Sequence, residues 1–315
     1  MGEAPVIVIG GPTASGKSGL ALEIAERLDG AVINGVAIQV YRDLHILTAR
    51  PSEADEKRIP HRLYGVLDAT ETCSAGRWQA LALAEIEAAT AAGKRAIVVG
   101  GTGLYLRALT EGIAPIPDIA ADIRAAARAR FAEIGNVEFH AELTARDPVM
   151  AARLQSADGQ RLMRAWEVLE ATGRSLAAWQ EEPVIAPDLK FTMVALMPPR
   201  DDIYAACDGR MVAMVADGVL DEVAALMKRA EAEQLDPGLP VLKALGYAEL
   251  ASHLSGETTL EAAIVAAQQK TRRYAKRQMT WFRHQLPDRS GDARPNIQLL
   301  KYSYINYLEI FSNIS

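Results

Sequence analysis

Val6-Ile7-Val8-Ile9-Gly10-Gly11-Pro12-Thr13-Ala14-Ser15-Gly16-Lys17-Ser18 is the stretch on which the fold turns. A short β-branched run ends in glycine and gives way to a helix-compatible segment, 18–28, so the order is strand, loop, helix. Gly11 to Ser18 satisfies the P-loop pattern in the context that pattern requires. In such a loop Gly11, Thr13, Ala14, Ser15 and Gly16 can turn backbone N–H groups toward phosphate oxygens, and Pro12, which has no N–H, is read with them as part of the diphosphate-binding turn. The helix N-terminus adds partial positive charge, Lys17 adds a full one, and the Ser18 hydroxyl can ligate Mg²⁺. A glycine-rich turn with a chance lysine is the competing reading, and the flanking strand and helix weigh against it. Alone, the motif indicates only a di- or triphosphate site, because kinases, GTPases and other transferases share it.

Outward from that loop, 31–34, 96–99 and 191–196 read as further buried strands, and 96–99 runs straight into Gly100-Gly101-Thr102-Gly103. Strands alternating with helices imply an α/β fold: a P-loop NTPase-like parallel sheet with helices on both faces, ligands meeting the carboxyl ends of its strands. The glycine loops after the first and third of these strands fall at that edge. Between Pro115 and Pro187 the pattern changes. Segments 123–134, 138–146 and 160–172 have helical period with no convincing strand, and Asp147-Pro148 suits a helix start. We read 116–187 as an inserted all-helical domain, 1–115 with 188–285 as the core, and 286–315 as a tail. A long helical stretch, 260–284, closes the core, 287–295 is turn-rich, and 302–315 is expected to be peripheral. No internal repeats are found.

With 315 residues, half of them apolar and 23% charged, the chain has ample material for a core. The segment from Met1 to Gly10 lacks the basic flank and length of a signal peptide, and no apolar stretch approaches the roughly 18 residues needed to span a bilayer. A cytoplasmic protein with no membrane partner is therefore expected. Cys73 and Cys207 stand far apart without metal-ligand spacing, and the five histidines, at 45, 61, 140, 253 and 284, form no ligand set. The net charge of −6 gives no global reason to expect nucleic acid, so local clusters must supply one. Lys270, Arg272, Arg273, Lys276, Arg277 and Arg283 form such a cluster without an intervening acid, interleaved with Tyr274, Trp281 and Phe282. Alone, this is a solvated helix face as readily as a phosphate-binding one.

Several segments together resemble the bacterial tRNA dimethylallyltransferase family, also called isopentenyl-tRNA transferases. They are Gly11 to Ser18; Gln39-Val40-Tyr41; Thr48-Ala49-Arg50-Pro51-Ser52; Ile59-Pro60-His61; Gly100-Gly101-Thr102-Gly103-Leu104-Tyr105; Asp158-Gly159-Gln160-Arg161; Leu245-Gly246-Tyr247; and Thr271-Arg272-Arg273-Tyr274-Ala275-Lys276-Arg277-Gln278 with Trp281-Phe282-Arg283. They run in the family's order over about 5–285. The resemblance implies a core like that of nucleotide kinases, a helical insertion gripping the anticodon stem-loop of tRNA, Mg²⁺ dependence, and dimethylallyl diphosphate as donor. The acceptor it implies is the exocyclic amine of the adenosine 3′ of the anticodon. The chain is expected to act as a monomer.

The resemblance also assigns roles. An adenine amine is a poor nucleophile, so the leaving diphosphate needs stabilisation, for which Lys17, Mg²⁺ and an arginine are suited. By resemblance that arginine is Arg210, which alone would read as a solvated helix-face charge. Thr102, otherwise a turn-stabilising residue, would contact the diphosphate or the reacting centre. RNA contacts are implied for Val36, Ala37, Ile38 and Gln39, for Arg124, Gln160, Arg161 and Arg164 in the insertion, and for Arg272, Arg273, Lys276 and Arg277 in the terminal helix. Of these, Gln39 is the retained member of the adenine-facing segment. His61, although in a family-like segment, is given a structural role.

One departure stands out. The family pattern after the second strand is Asn-Ala-Asp-Ser-Met-Gln-Val-Tyr, whereas this chain has Asn34-Gly35-Val36-Ala37-Ile38-Gln39-Val40-Tyr41. Val36 occupies the place of the catalytic Asp and Ala37 that of the adenine-holding Ser, and neither can accept a proton or make a side-chain hydrogen bond. An altered variant, a slow enzyme relying on leaving-group stabilisation, and a tRNA-binding protein without catalysis all fit. Asp43, nearby in sequence, reads as a solvated loop charge. A small-molecule kinase using ATP at the same loop is the other alternative, and it needs a carboxylate near its acceptor that the sequence does not offer.

Overall fold

A computed structural model of the chain describes residues 4–285, 297–303 and 307–314. In chain order the strands are β1 (Val6–Gly10), β2 (Gly30–Asn34), β3 (His61–Arg62), β4 (Arg95–Gly100), β5 (Phe191–Leu196) and β6 (Ile297–Tyr302). The helices are α1 (Lys17–Arg27), α2 (Glu53–Arg58), α3 (Ala75–Ala91), α4 (Gly103–Glu111), α5 (Ala121–Arg146), α6 (Pro148–Ala151), α7 (Gly159–Thr172) and α8 (Leu176–Gln180). They continue with α9 (Arg200–Ala216), α10 (Val219–Ala232), α11 (Tyr247–Leu254), α12 (Leu260–Gln285) and α13 (Tyr307–Ile314).

The six strands form one parallel sheet in the order β3-β2-β4-β1-β5-β6. Its central strands are apolar on both sides, as a sheet covered on both faces demands. Alternation sorts them into two cores. Val6, Val8, Ala31, Ile33, Val98 and Met193 face one core with Trp78 of α3, Leu106 of α4 and Phe282 of α12. Ile7, Ile9, Val32, Ile97, Val99 and Val194 face the other with Leu20 and Ile24 of α1 and Ile310 and Ile314 of α13. The chain divides into two compact units, 1–110 with 187–315 and 111–186.

Two strands escaped the sequence reading. His61–Arg62 is only two residues long and is recruited as an edge partner of β2, paired Val32 to His61 and Ile33 to Arg62. With it counted, the strand running into Gly100 is the fourth and not the third. The larger correction is at the C-terminal end, where 302–315 was expected to be peripheral. Ile297–Tyr302 instead pairs in register with the whole of β5, from Phe191 opposite Ile297 to Leu196 opposite Tyr302. Its successor α13 buries Ile310 and Ile314 against the sheet, and Arg27 lies 3.9 Å over the Phe311 ring. The physical reason is that β5 would otherwise present an unpaired edge. The turn-rich segment 287–295 lies outside the described residues.

The 111–186 unit is helical and has its own core of Ala127, Phe139, Leu143, Met150, Leu162, Ala165, Trp166 and Leu176. The two helical segments read at 123–134 and 138–146 are one helix, α5, broken where Gly135 adopts φ 77°. Asp147 caps α6, its Oδ1 accepting from Met150 N at 3.0 Å with Pro148 in the first turn. Among the described residues no helix is long and apolar enough to cross a membrane.

Candidate active site

The loop between β1 and α1 leaves the sheet at its carboxyl edge, and the chain turns into α1 through Ala14 (φ 61°) and Gly16 (φ 86°). Lys17 folds back so that its amine donates to Pro12 O at 3.1 Å. Burial, and then the nearby Arg210 guanidinium, hold the Lys17 amine down to about 7. Arg210 projects from α9 and donates from Nη2 to Thr13 Oγ1 at 2.5 Å. Its own pKa is lowered by burial. Ser15 Oγ is buried without a partner in the same loop. Two cations and an orphaned hydroxyl gathered at one loop before a helix N-terminus are a chemistry that can hold an anion.

A second loop meets the first at the end of β4. Gly35 and Gly100 touch backbone to backbone, and a Cβ on Gly100 would overlap the Gly35 carbonyl. Thr102 Oγ1 accepts from Ala37 N at 3.0 Å, and its hydroxyl proton faces the Tyr274 phenol oxygen of α12. Burial, partly offset by that Thr102 contact, raises the Tyr274 phenol above its ordinary value.

The segment carrying Val36 is fixed from β2. Asn34 Oδ1 accepts from Val36 N at 2.8 Å, and Asn34 Nδ2 donates to Val36 O at 3.1 Å and to Leu63 O at 3.0 Å. Ala37–Val40 then forms a single 3-10 turn with Val36 at its N-cap and no side-chain cap. Gln39 gives both protons of its amide to backbone, Thr48 O and Ala49 O, each at 2.8 Å. Only its carbonyl oxygen is left for a ligand.

These parts enclose a cavity of about 370 Å³. Thr13, Lys17, Ser18, Thr102 and Arg210 line one part of it, Val36, Ala37, Ile38 and Gln39 another, and Cys207, Met211 and Met214 of α9 an apolar flank. Lys243 and Arg277 also line it, so four cations face a space to which no described aspartate or glutamate contributes. Asp43 is not a solvated loop charge as expected. It is nearly buried and paired with Arg229 Nη1 at 2.5 Å, while Arg229 Nη2 donates to Asp68 at 2.8 Å and holds that carboxyl below its usual range. His61 is built into β3, its Nδ1 3.1 Å from Ile59 O and its ring edge-on to Tyr64.

Helix α12 lines two concavities. Thr271, Tyr274 and Gln278, spaced i, i+3, i+7, face the cavity. Arg273, Lys276, Arg277 and Thr280 line a shallower concavity of about 420 Å³ on the outside. No acid intervenes within the cluster's own sequence, and two of its members meet acids from other helices. Arg272 Nη1 pairs with Asp208 of α9 at 2.5 Å, and Lys270 pairs with Glu249 of α11. In the helical unit, Gln160 and Arg161 are exposed on α7, with Arg161 3.3 Å from Asp158 and Arg164 3.5 Å from Glu167. Arg124 is half-buried on α5, with its Nε unpartnered. Sequence reasoning passed over Tyr64, Lys243, Tyr274 and Gln278 as site residues. The polar residues on the buried face of α12 were the available signal, because a buried amide needs a purpose.

Residues 39–285 match the family model described as IPP transferase. The chain belongs to the IPP transferase family. A tRNA dimethylallyltransferase of Rhodospirillum centenum is 55% identical over 312 residues, covering 97% of this chain and 98% of that protein. Its counterpart in Rhodospirillum rubrum is 54% identical over 291 residues, covering 91% and 88%. In three dimensions the chain is similar to the full-length tRNA isopentenylpyrophosphate transferase of Bacillus halodurans (TM-score 0.65, 30% identity, 99% of this chain and 94% of that one). A eukaryotic dimethylallyltransferase acting on tRNA gives TM-score 0.78 at 25% identity, over 99% and 77%. The segment matched to the IPP transferase model opens at Gln39, so the phosphate loop and Val36 precede it.

Proposed function

We propose that the chain transfers a dimethylallyl group from dimethylallyl diphosphate to the exocyclic amine of the adenosine 3′ of the anticodon in tRNA. The observation that carries this reading is the convergence of Lys17 and Arg210 with Thr102 and the 36–39 segment on one cavity. Diphosphate lies against the loop from Gly11 to Ser18, where Lys17 and Arg210 balance the charge that grows as the carbon–oxygen bond breaks. The dimethylallyl group lies against the Cys207, Met211 and Met214 flank. Adenine enters beside Gln39, whose one free acceptor suits the amine. Thr102 lines the same part of the cavity and reaches the donor by turning its hydroxyl proton away from Tyr274.

The described residues hold no cluster of three or more His, Cys, Asp or Glu that could bind a metal. Mg²⁺, which retains water and takes substrate phosphate oxygens, needs little more from the protein than the Ser18 hydroxyl, and Ser15 Oγ is at hand in the same loop. When bound, the ion would neutralise charge on the leaving diphosphate.

Loss of a proton from the attacking amine finds no carboxylate here. Water or the leaving diphosphate takes the proton, at a cost of roughly 10²–10⁴ in rate relative to a well-placed carboxylate. RNA is held by Arg273, Lys276 and Arg277 of α12 and by Arg124, Gln160, Arg161 and Arg164 of the helical insertion, with Arg272 reaching phosphate only by exchanging Asp208 for it. On this reading the chain works as a monomer in the cytoplasm. A second reading, tRNA binding without transfer, is favoured by the apolar pair Val36 and Ala37 on the cavity wall. An ATP-dependent kinase finds no support in a cavity without a carboxylate. Incubation with labelled dimethylallyl diphosphate and labelled ATP in parallel separates these readings. Label from the prenyl donor alone is expected on an anticodon stem-loop, and consumption of ATP alone would refute the proposal.

A further inference from the structure

Gln278 sits on α12 close in sequence to Arg273, Lys276 and Arg277, which line the outer concavity, yet it is 7% exposed and lines the cavity. Its Oε1 accepts from Thr13 N at 2.8 Å, and its Nε2 donates to Gly101 O at 2.8 Å. The partners fix the orientation of the amide, since an N–H must face the oxygen and a carbonyl must face the nitrogen. One side chain therefore joins the phosphate loop to the turn that carries Thr102. Thr13 is in turn held through its hydroxyl by Arg210. The contact is so close that a Cβ on Gly101 would overlap Gln278 Nε2 and come within 2.8 Å of Gly11 O.

We propose that Gln278 is a positioning residue: it latches the diphosphate loop to the RNA-facing helix, so that occupancy of either site alters affinity at the other. The proposal rests on the reading of the loop as a diphosphate site and of α12 as an RNA contact. Its physical basis is that the Thr13 N–H, one of the loop's own amides, is satisfied by Gln278 of α12 and not left for an anion, which fixes the direction in which the amides that follow it are presented. Glutamine suits the place because a carboxylate lacks the donor for Gly101 O and asparagine is a methylene too short. If both ligands prefer the latched arrangement, linkage makes the effect reciprocal.

The test titrates inorganic pyrophosphate with Mg²⁺ into the full chain, with and without a saturating anticodon stem-loop, and titrates the stem-loop separately. In the native chain the stem-loop should tighten pyrophosphate binding by about fivefold or more. Gln278→Met fills the same volume but makes neither hydrogen bond. It should weaken pyrophosphate binding about tenfold and abolish the coupling, while stem-loop affinity alone stays within about twofold. Gly101→Ala, which displaces the amide, should reproduce this pattern, and Gln278→Glu, which still accepts from Thr13 N, should fall between. Coupling of native size in Gln278→Met would overturn the latch, as would a native chain without coupling. Equal loss of both affinities would also overturn it, because that marks general damage to α12. A native chain that fails to bind pyrophosphate at all would instead sink the diphosphate reading together with the latch built on it.

Discussion

Val36 is held at the cavity wall by the Asn34 side chain, which grips its N–H and its carbonyl, so a different side chain at this position would inherit the same backbone. An aspartate there would aim its carboxylate into a space that now lacks one, and it also suits the N-cap of the turn that follows. Val36→Asp with Ala37→Ser is expected to raise single-turnover transfer to a stem-loop by at least about tenfold. Equal rates for the native and doubly substituted chains would remove Val36 from the account. Lys17 supplies a second prediction at this scale. Its folded value of about 7 lies below the ordinary 10.5, so between those values the unfolded chain binds the extra proton and stability rises with pH. The destabilisation from burying this charge is therefore complete below about pH 7 and relieved above it. Lys17→Met should accordingly raise the thermal midpoint of the ligand-free chain at about pH 6, with the gain shrinking by about pH 9. The phosphate loop and Thr102 were legible because glycine spacing and a strand-loop-helix context impose them. Gln278 and Tyr274 were not, because their roles depend on which face of α12 meets loops that for Gln278 lie 265 and 177 residues away in the chain.

At the scale of elements, α12 divides its cations between structure and surface. Arg273→Ala, Lys276→Ala and Arg277→Ala should each weaken stem-loop binding and reduce its dependence on log salt by about one unit. Arg272→Ala should change that slope less and lower stability, because Arg272 is already paired with Asp208. Binding isotherms over a range of salt concentrations would check both. The C-terminal strand and helix were misjudged because Tyr-, Ile- and Asn-rich composition says nothing about whether an edge awaits pairing. That need arises only once β5 is placed at the sheet's margin. Ile310 is fully buried beneath the sheet, so Ile310→Ala should cost about 2–5 kcal/mol in urea unfolding. A near-zero change would mean that α13 does not seal the core.

For the molecule as a whole, the order of sheet and insertion could be read from alternating strand and helix periods, and the second compact unit from the loss of strand signal after Pro115. The acceptor of the proton could not be found in the sequence, and among the described residues the cavity lining supplies no carboxylate in its place. The account therefore stands on a cationic pocket that stabilises a leaving diphosphate without a strong base opposite it. The measurement that bears on this most directly is a single-turnover assay, with the chain in excess over an anticodon stem-loop and labelled dimethylallyl diphosphate as donor. The account predicts slow label transfer that requires the adenosine 3′ of the anticodon, and that falls further when Lys17 or Arg210 is replaced by methionine. Tight stem-loop binding with no transfer at any enzyme concentration, or transfer indifferent to both substitutions, would contradict it.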